Sequence, residues 1–133
     1  MAIHLEFVLR ASPADVWTIV GDPGRTDWVP GVESCEFDGT VRQFVMQGAG
    51  RLSERILLRD PARRRLEYSV IESRPPLQSH LASIQIDEHP DGALFVWQTT
   101  VRPEAVEPFI RQSMDAAVEQ LKAVLSADPG RAD

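Results

Sequence analysis

Between residues 32 and 102 the chain alternates apolar and polar residues in one short run after another. The runs fall at 32–38, 41–47, 51–59, 64–72, 78–87 and 93–102. A period of two is that of side chains on a strand. The joints carry turn chemistry: Asp38-Gly39, Gly48-Ala49-Gly50, Asp60-Pro61 and His89-Pro90-Asp91-Gly92. Strands joined this closely pair with their neighbours in antiparallel fashion. The joint Ser73-Arg74-Pro75-Pro76 differs, because two prolines stiffen it and end strand pairing. It reads either as a loop with a task or as a rigid turn. A meander of this kind has one apolar face and cannot bury it alone.

The cover comes at the end of the chain. Ile110, Met114, Ala117, Leu121 and Leu125 recur at spacings of four, three, four and four. That is the apolar stripe of a helix over 105–125, about 30 Å long. Pro108 falls in its first turn, where a missing N–H is tolerated. Ahead of the meander, Ile3, Leu5, Phe7 and Leu9 form one face of a first strand. Ser12 as N-cap, Pro13 at the first helical position and Asp15 in the first turn start a short helix. Asp22-Pro23-Gly24 ends it, and a second short helix or turn is expected over 24–28. The expected fold is α+β. A curved seven-stranded antiparallel sheet wraps around a long C-terminal helix, with two short helices between strands 1 and 2. Residues 1–126 form one domain and 127–133 a frayed tail.

Composition narrows the function classes. The chain has 133 residues, 43% of them hydrophobic, enough for a core without disulfides or metals. A formal charge of −6 argues against nucleic acid and anionic membrane surfaces as partners. Cys35 is the only cysteine, and His4, His80 and His89 show no zinc spacing, so no metal and no other cofactor is expected. The start MAIHLEFVLR does not read as a signal peptide, and no apolar run approaches the ~20 residues of a membrane span. A cytoplasmic protein without stable membrane insertion is the expectation.

Strand alternation selects an inner face. Arg42, Phe44 and Met46 share one side of 41–47. Leu52, Glu54, Ile56 and Leu58 share one side of 51–59. Leu66, Tyr68 and Val70 follow on 64–72, and His80, Ala82, Ile84 and Ile86 on 78–87. Phe95, Trp97, Thr99 and Val101 complete the set on 93–102. The inward polar groups are Arg42, Glu54, Tyr68, His80 and Thr99, with Glu33 as a further candidate. A mostly apolar pocket with a few polar anchors is the usual build of a small-molecule site. Glu54 among leucines and isoleucine is the most informative of these, since a buried unpaired carboxylate is costly. It either pairs with Arg42 across adjacent strands or faces a ligand, and the two are compatible. His80 is a rim or a pocket residue. Tyr68 and Trp97 are core or site.

The order of several motifs resembles the START-like helix-grip superfamily, also called SRPBCC, which holds many polyketide cyclase/dehydrase-like proteins. The carrying residues are Ala11-Ser12-Pro13-Ala14-Asp15-Val16-Trp17, Asp22 to Trp28 with Pro30-Gly31-Val32, Ser53-Glu54-Arg55 with Asp60, Val96-Trp97 and Leu121-Lys122. Within it the chain looks most like bacterial relatives of the plant abscisic-acid receptors. Val32-Glu33-Ser34-Cys35, Gly39-Thr40-Val41-Arg42 and Ser53-Glu54-Arg55 carry that likeness. The resemblance implies a sheet gripping the last helix around a cavity for lipids, hormones or polyketides. Three departures stand against hormone sensing of the plant type. Glu33 occupies the place of a ligand-binding lysine, the gate loop reads Gln47-Gly48-Ala49-Gly50, and Pro75-Pro76 replaces the latch His-Arg.

Two functions compete. In the first, the protein binds a lipid-, polyketide- or isoprenoid-like molecule. The contacts come from Arg42, Phe44, Met46, Glu54, Ile56, Tyr68, His80, Ala82, Ile84, Trp97 and Thr99 of the sheet, and from Ile110, Met114 and Ala117 of the helix. In the second, the same cavity performs cyclase/dehydratase chemistry without metal or nucleotide. Glu54 is then the general base, His80 or Tyr68 the acid, and Arg42 holds an enolate oxygen. Binding is preferred, since these residues form no recognisable catalytic set. A protein-interaction domain docking through the Pro75-Pro76 loop is a third, weaker option.

Overall fold

The computed structural model describes residues 2–48 and 50–127. Strand β1 (Ala2–Leu9) leads into helix α1 (Pro13–Val20). Six strands follow: β2 (Val32–Phe37), β3 (Val41–Met46), β4 (Gly50–Asp60), β5 (Arg65–Glu72), β6 (Ser79–His89) and β7 (Gly92–Arg102). A 3-10 turn at Glu104–Val106 precedes helix α2 (Glu107–Ala127). The strands form one seven-stranded sheet in the order β1-β7-β6-β5-β4-β3-β2, each paired antiparallel with its neighbours. The expected α+β class, sheet and long terminal helix are all present. The helix reaches Ala127, two residues past the expected end, and residues 128–133 of the expected tail lie outside the described residues. So does Ala49 of the expected gate loop.

One expected element is replaced by turns. Ser12 caps α1 as anticipated, its Oγ accepting from the Asp15 amide at 3.1 Å. Residues 24–28 form no second helix. The Arg25 amide donates to the Asp22 carbonyl and the Val29 amide to the Thr26 carbonyl, each at 3.0 Å. The side chain of Asp22 takes the Gly24 amide at 3.0 Å. Pro23 and Pro30 cannot donate to a helical ladder, and Gly24 and Asp22 favour turns, so two separate turns win. Gly21 closes α1. A Cβ there would run into the Trp17 ring, so only glycine lets the chain turn this close to the indole.

The core lies between the sheet's concave face, α1 and α2. Ile3, Leu5, Leu66, Ile84, Ile86 and Phe95 from the strands meet Val16, Ile19 and Val20 of α1 and Ala117, Val118, Leu121 and Leu125 of α2. The two ends of α2 are fixed over different parts of the sheet. Thr99 Oγ1 of β7 donates to Met114 Sδ at 3.5 Å. Further along, Lys122 Nζ sits 5.7 Å from the centre of the Phe7 ring of β1, and Gln120 Nε2 donates to the Asp27 carbonyl at 3.0 Å. The loop from residue 22 to 31 is thereby tied to α2.

Bulges shift two faces away from simple alternation. The β4–β5 register slips between Ile56 and Leu58, so Arg59 takes the place opposite Leu66 and Leu58 moves out to 36% exposure. Leu58 is therefore not an inner residue. Arg59 uses its new direction to donate from Nε to the Gly21 carbonyl at 2.6 Å, with its guanidinium over the Trp17 ring. A slip between Val32 and Ser34 on β2 leaves Glu33 unpaired and exposed. Glu33 is accordingly not an inward polar group.

Candidate functional site

Register brings the polar inner residues together. Arg42 of β3 lies opposite Glu54 of β4, Glu54 opposite Val70 of β5, and Ile56 opposite Tyr68. Glu54 and Tyr68 are thus diagonal neighbours on one face. Tyr68 lies opposite Ala82 of β6, Ala82 opposite Thr99 of β7, and Ile84 opposite Trp97.

Arg42 and Glu54 form a buried ion pair. Nε and Nη2 of Arg42 each reach Glu54 Oε1 at 2.7 Å. The remaining nitrogen, Nη1, donates to the Pro23 carbonyl at 3.4 Å, which ties the 22–31 loop to the pair. The guanidinium is flanked by rings, 5.3 Å from the centre of Phe44 and 4.8 Å from that of Tyr68. Glu54 Oε2 takes no hydrogen bond from a described residue, and 10% of the side chain remains exposed. Burial pushes the Glu54 carboxyl above the usual carboxylate range, with the Arg42 charge opposing that rise. Cys35 lies opposite Phe44 on β2, its thiol raised chiefly by burial.

Two more polar groups are fixed beside the pair. Tyr68 Oη accepts from Trp97 Nε1 at 3.0 Å, so its own proton is free to point elsewhere. Burial, followed by the nearby Glu54 charge, raises the Tyr68 hydroxyl pKa far above normal. His80 Nδ1 accepts from the Val70 amide at 3.0 Å. Its ring pKa is brought down to about 4 by burial, so the neutral ring carries its proton on Nε2. Nearby, Ser69 Oγ donates to the His80 carbonyl. The Cα partners of β5 and β6 run only from Arg65↔Gln85 to Tyr68↔Ala82, so these side-chain bonds hold the strands where the ladder stops.

Residual exposure varies along this interior. Arg42, Phe44, Glu54, Tyr68 and Trp97 retain 5–8% exposure, whereas Leu66, Ile86, Phe95 and Leu121 are at 0%. Phe44 is buried yet stands outside the continuous apolar core to which Tyr68, Trp97 and Met114 belong. The Arg42–Glu54 pair occupies that break. Ile56, Met46 and Ile110 are half-buried, and Ile56 and Ile110 pack against the core.

The sequence-selected residues fall as follows. Arg42, Glu54, Phe44 and Tyr68 form one cluster, with His80 5.9 Å from Tyr68 between ring centres. Thr99 and Met114 are linked to each other, and Ala82, Ile84 and Ala117 are packed into the core wall. Two contributors escaped sequence reasoning. Trp28 lies 5.5 Å from Trp97 between ring centres, and the Pro23 carbonyl holds Arg42. The sequence signals for them were the break at Asp22-Pro23-Gly24 and the place of Asp22 to Trp28 in the family resemblance, neither of which assigned them to the site. Among the described residues no cluster of His, Cys, Asp and Glu could hold a metal ion, and no helix is long and apolar enough to cross a membrane.

The chain is similar in structure to several solved proteins. An uncharacterised protein of Bacillus thuringiensis superposes with a TM-score of 0.84 at 20% identity, covering 93% of this chain and 98% of its own. The protein XoxI of Bacillus cereus gives 0.83 at 22% identity, covering 96% of this chain and 95% of its own. Norcoclaurine synthase of Thalictrum flavum gives 0.75 at 21%, covering 96% of this chain and 87% of its own. At these identities the likeness establishes the fold. No curated protein matches the chain. Kinship with the abscisic-acid receptor branch stays an expectation of the sequence. The model of the family described as polyketide cyclase/dehydrase and lipid transport matches residues 2–126, and the chain belongs to that family.

Proposed function

We propose that the protein binds an apolar small molecule of lipid, polyketide or isoprenoid type. The molecule lies between the concave sheet face and α2, at the end lined by Phe44, Ile56, Trp97, Ile110 and Met114. The observation that carries this reading is the Arg42–Glu54 pair. It is an ion pair inside an apolar wall, at the place where the continuous core is interrupted and solvent still reaches the lining. As structure alone, a buried pair adds little over well-packed apolar residues. As one polar anchor in an apolar site, it does what such sites require. The family's association with lipid transport points the same way. Mass spectrometry of natively purified protein tests it. An apolar species recovered near stoichiometry supports the reading. Protein that carries none, and takes up no apolar probe, contradicts it.

A second reading has one observation in its favour: burial raises the Glu54 carboxyl, as a general base requires. The partners fit it poorly. Arg42 occupies one oxygen, His80 is neutral at physiological pH, and the Tyr68 proton is held too firmly to be given up. Turnover of a poly-β-ketone that Glu54→Gln abolishes would support catalysis. Binding without turnover is the expected result.

A further inference from the structure

Resting on the binding reading above, we infer that the polar end of the site selects an apolar alcohol over the matching carboxylic acid or amine. The geometry points to this through what is already satisfied and what is not. All three nitrogens of Arg42 are engaged, two on Glu54 Oε1 and one on the Pro23 carbonyl. Phe44 and Tyr68 flank its guanidinium. The single positive charge of Arg42 is already balanced by Glu54, so an anionic headgroup would enter as an uncompensated charge. Beside the N–H groups that Arg42 keeps, the cluster offers one acceptor and one neutral donor. The acceptor is Glu54 Oε2, which takes no bond from a described residue. The donor is the Tyr68 proton, left over once Oη has accepted from Trp97.

A hydroxyl both gives and accepts a hydrogen bond, so it satisfies Oε2 and Tyr68 at once. A carboxylate accepts only. It can take the Tyr68 proton but faces the Glu54 carboxylate, and like charges at close range inside a low-dielectric wall are costly. An ammonium gives only. It can reach Oε2 but leaves a net positive charge on a pair that is neutral as it stands, and an uncompensated buried charge is disfavoured. The alcohol alone satisfies both groups and adds no net charge to the balanced pair.

The test is calorimetric titration of the full chain with dodecanol, dodecanoate and dodecylamine, which differ only in the polar end. Dodecanol is expected to bind about tenfold or more tightly than either, the worth of one hydrogen bond to a charged group. Two variants read the two contacts separately. Glu54→Gln releases Arg42, so dodecanoate gains on dodecanol and the order narrows or reverses. Tyr68→Phe keeps the ring and weakens dodecanol while leaving dodecanoate no stronger than before. Dodecanoate equal to or tighter than dodecanol in the unaltered protein overturns the inference and leaves the binding reading standing. Failure of all three compounds to bind overturns both.

Discussion

Arg42 reaches Glu54 with two nitrogens that converge on one carboxylate oxygen, Oε1, at 2.7 Å each. The pair bridges β3 and β4 on the concave face and borrows the Pro23 carbonyl to hold the 22–31 loop. One contact thus links two strands, a loop and the polar end of the proposed site.

Breaking that pair from one side is expected to cost much more than removing it. Arg42→Met leaves the Glu54 carboxylate buried without its counter-charge, a loss of about 3–5 kcal/mol. The double variant Arg42→Met with Glu54→Leu is expected within about 1–2 kcal/mol of the unaltered protein, because no charge is left stranded. Urea unfolding of the two singles and the double, read as a cycle, checks this.

His80 sets an acid dependence. Its ring pKa falls from 6.5 to about 4 on folding because burial disfavours the charged form. The folded state then binds fewer protons than the unfolded state between those values, so stability rises with pH across them. The contribution is fully present above pH 6.5 and lost as pH falls through about 4. Allowing for partial exposure of the ring, the swing is of order 1–2 kcal/mol. His80→Asn keeps an acceptor for the Val70 amide without a titrating ring, and its urea midpoint is expected to fall less between pH 6.5 and pH 4 than that of the unaltered protein.

Much of the buried face around the proposed site is legible in the sequence. On β3, β6 and β7 plain alternation placed Arg42, Phe44, Ala82, Ile84, Trp97 and Thr99 on the buried face, because those strands keep one register throughout. It failed where a strand bulges. Leu58 and Glu33 moved out when β4 and β2 each slipped by a residue, and Arg59, still exposed, took the place opposite Leu66. No residue type marks those bulges in advance, since they answer to cross-strand packing. The second short helix failed for a local reason that could be read, two prolines and Asp22 around Gly24. The hold of Pro23 on Arg42 could not, because it joins residues 19 apart through a backbone carbonyl that any residue would supply.

Tyr68 is expected to matter through Trp97. Tyr68→Phe removes the acceptor at 3.0 Å from the buried indole N–H. An unpaired buried donor costs about 1–3 kcal/mol. The indole proton resonance of Trp97 is expected to move and exchange faster in this variant, with stability lowered by that amount.

Gly21 is expected to resist even alanine. The added methyl meets the Trp17 ring, and the same ring underlies Arg59, whose Nε binds the Gly21 carbonyl. Overpacking of this kind costs about 1–3 kcal/mol. Thermal unfolding of Gly21→Ala measures it, and a midpoint equal to the parent's would remove the close approach from the account.

The most direct measurement is a backbone and indole NMR titration with dodecanol. A guest held between sheet and helix is expected to shift the Trp97 indole and the amides of Phe44, Glu54, Tyr68 and Met114. Leu57, Ile71 and Leu81, which are exposed, should stay in place. Shifts confined to those three exposed positions, or no shift at saturating dodecanol, would contradict an interior site.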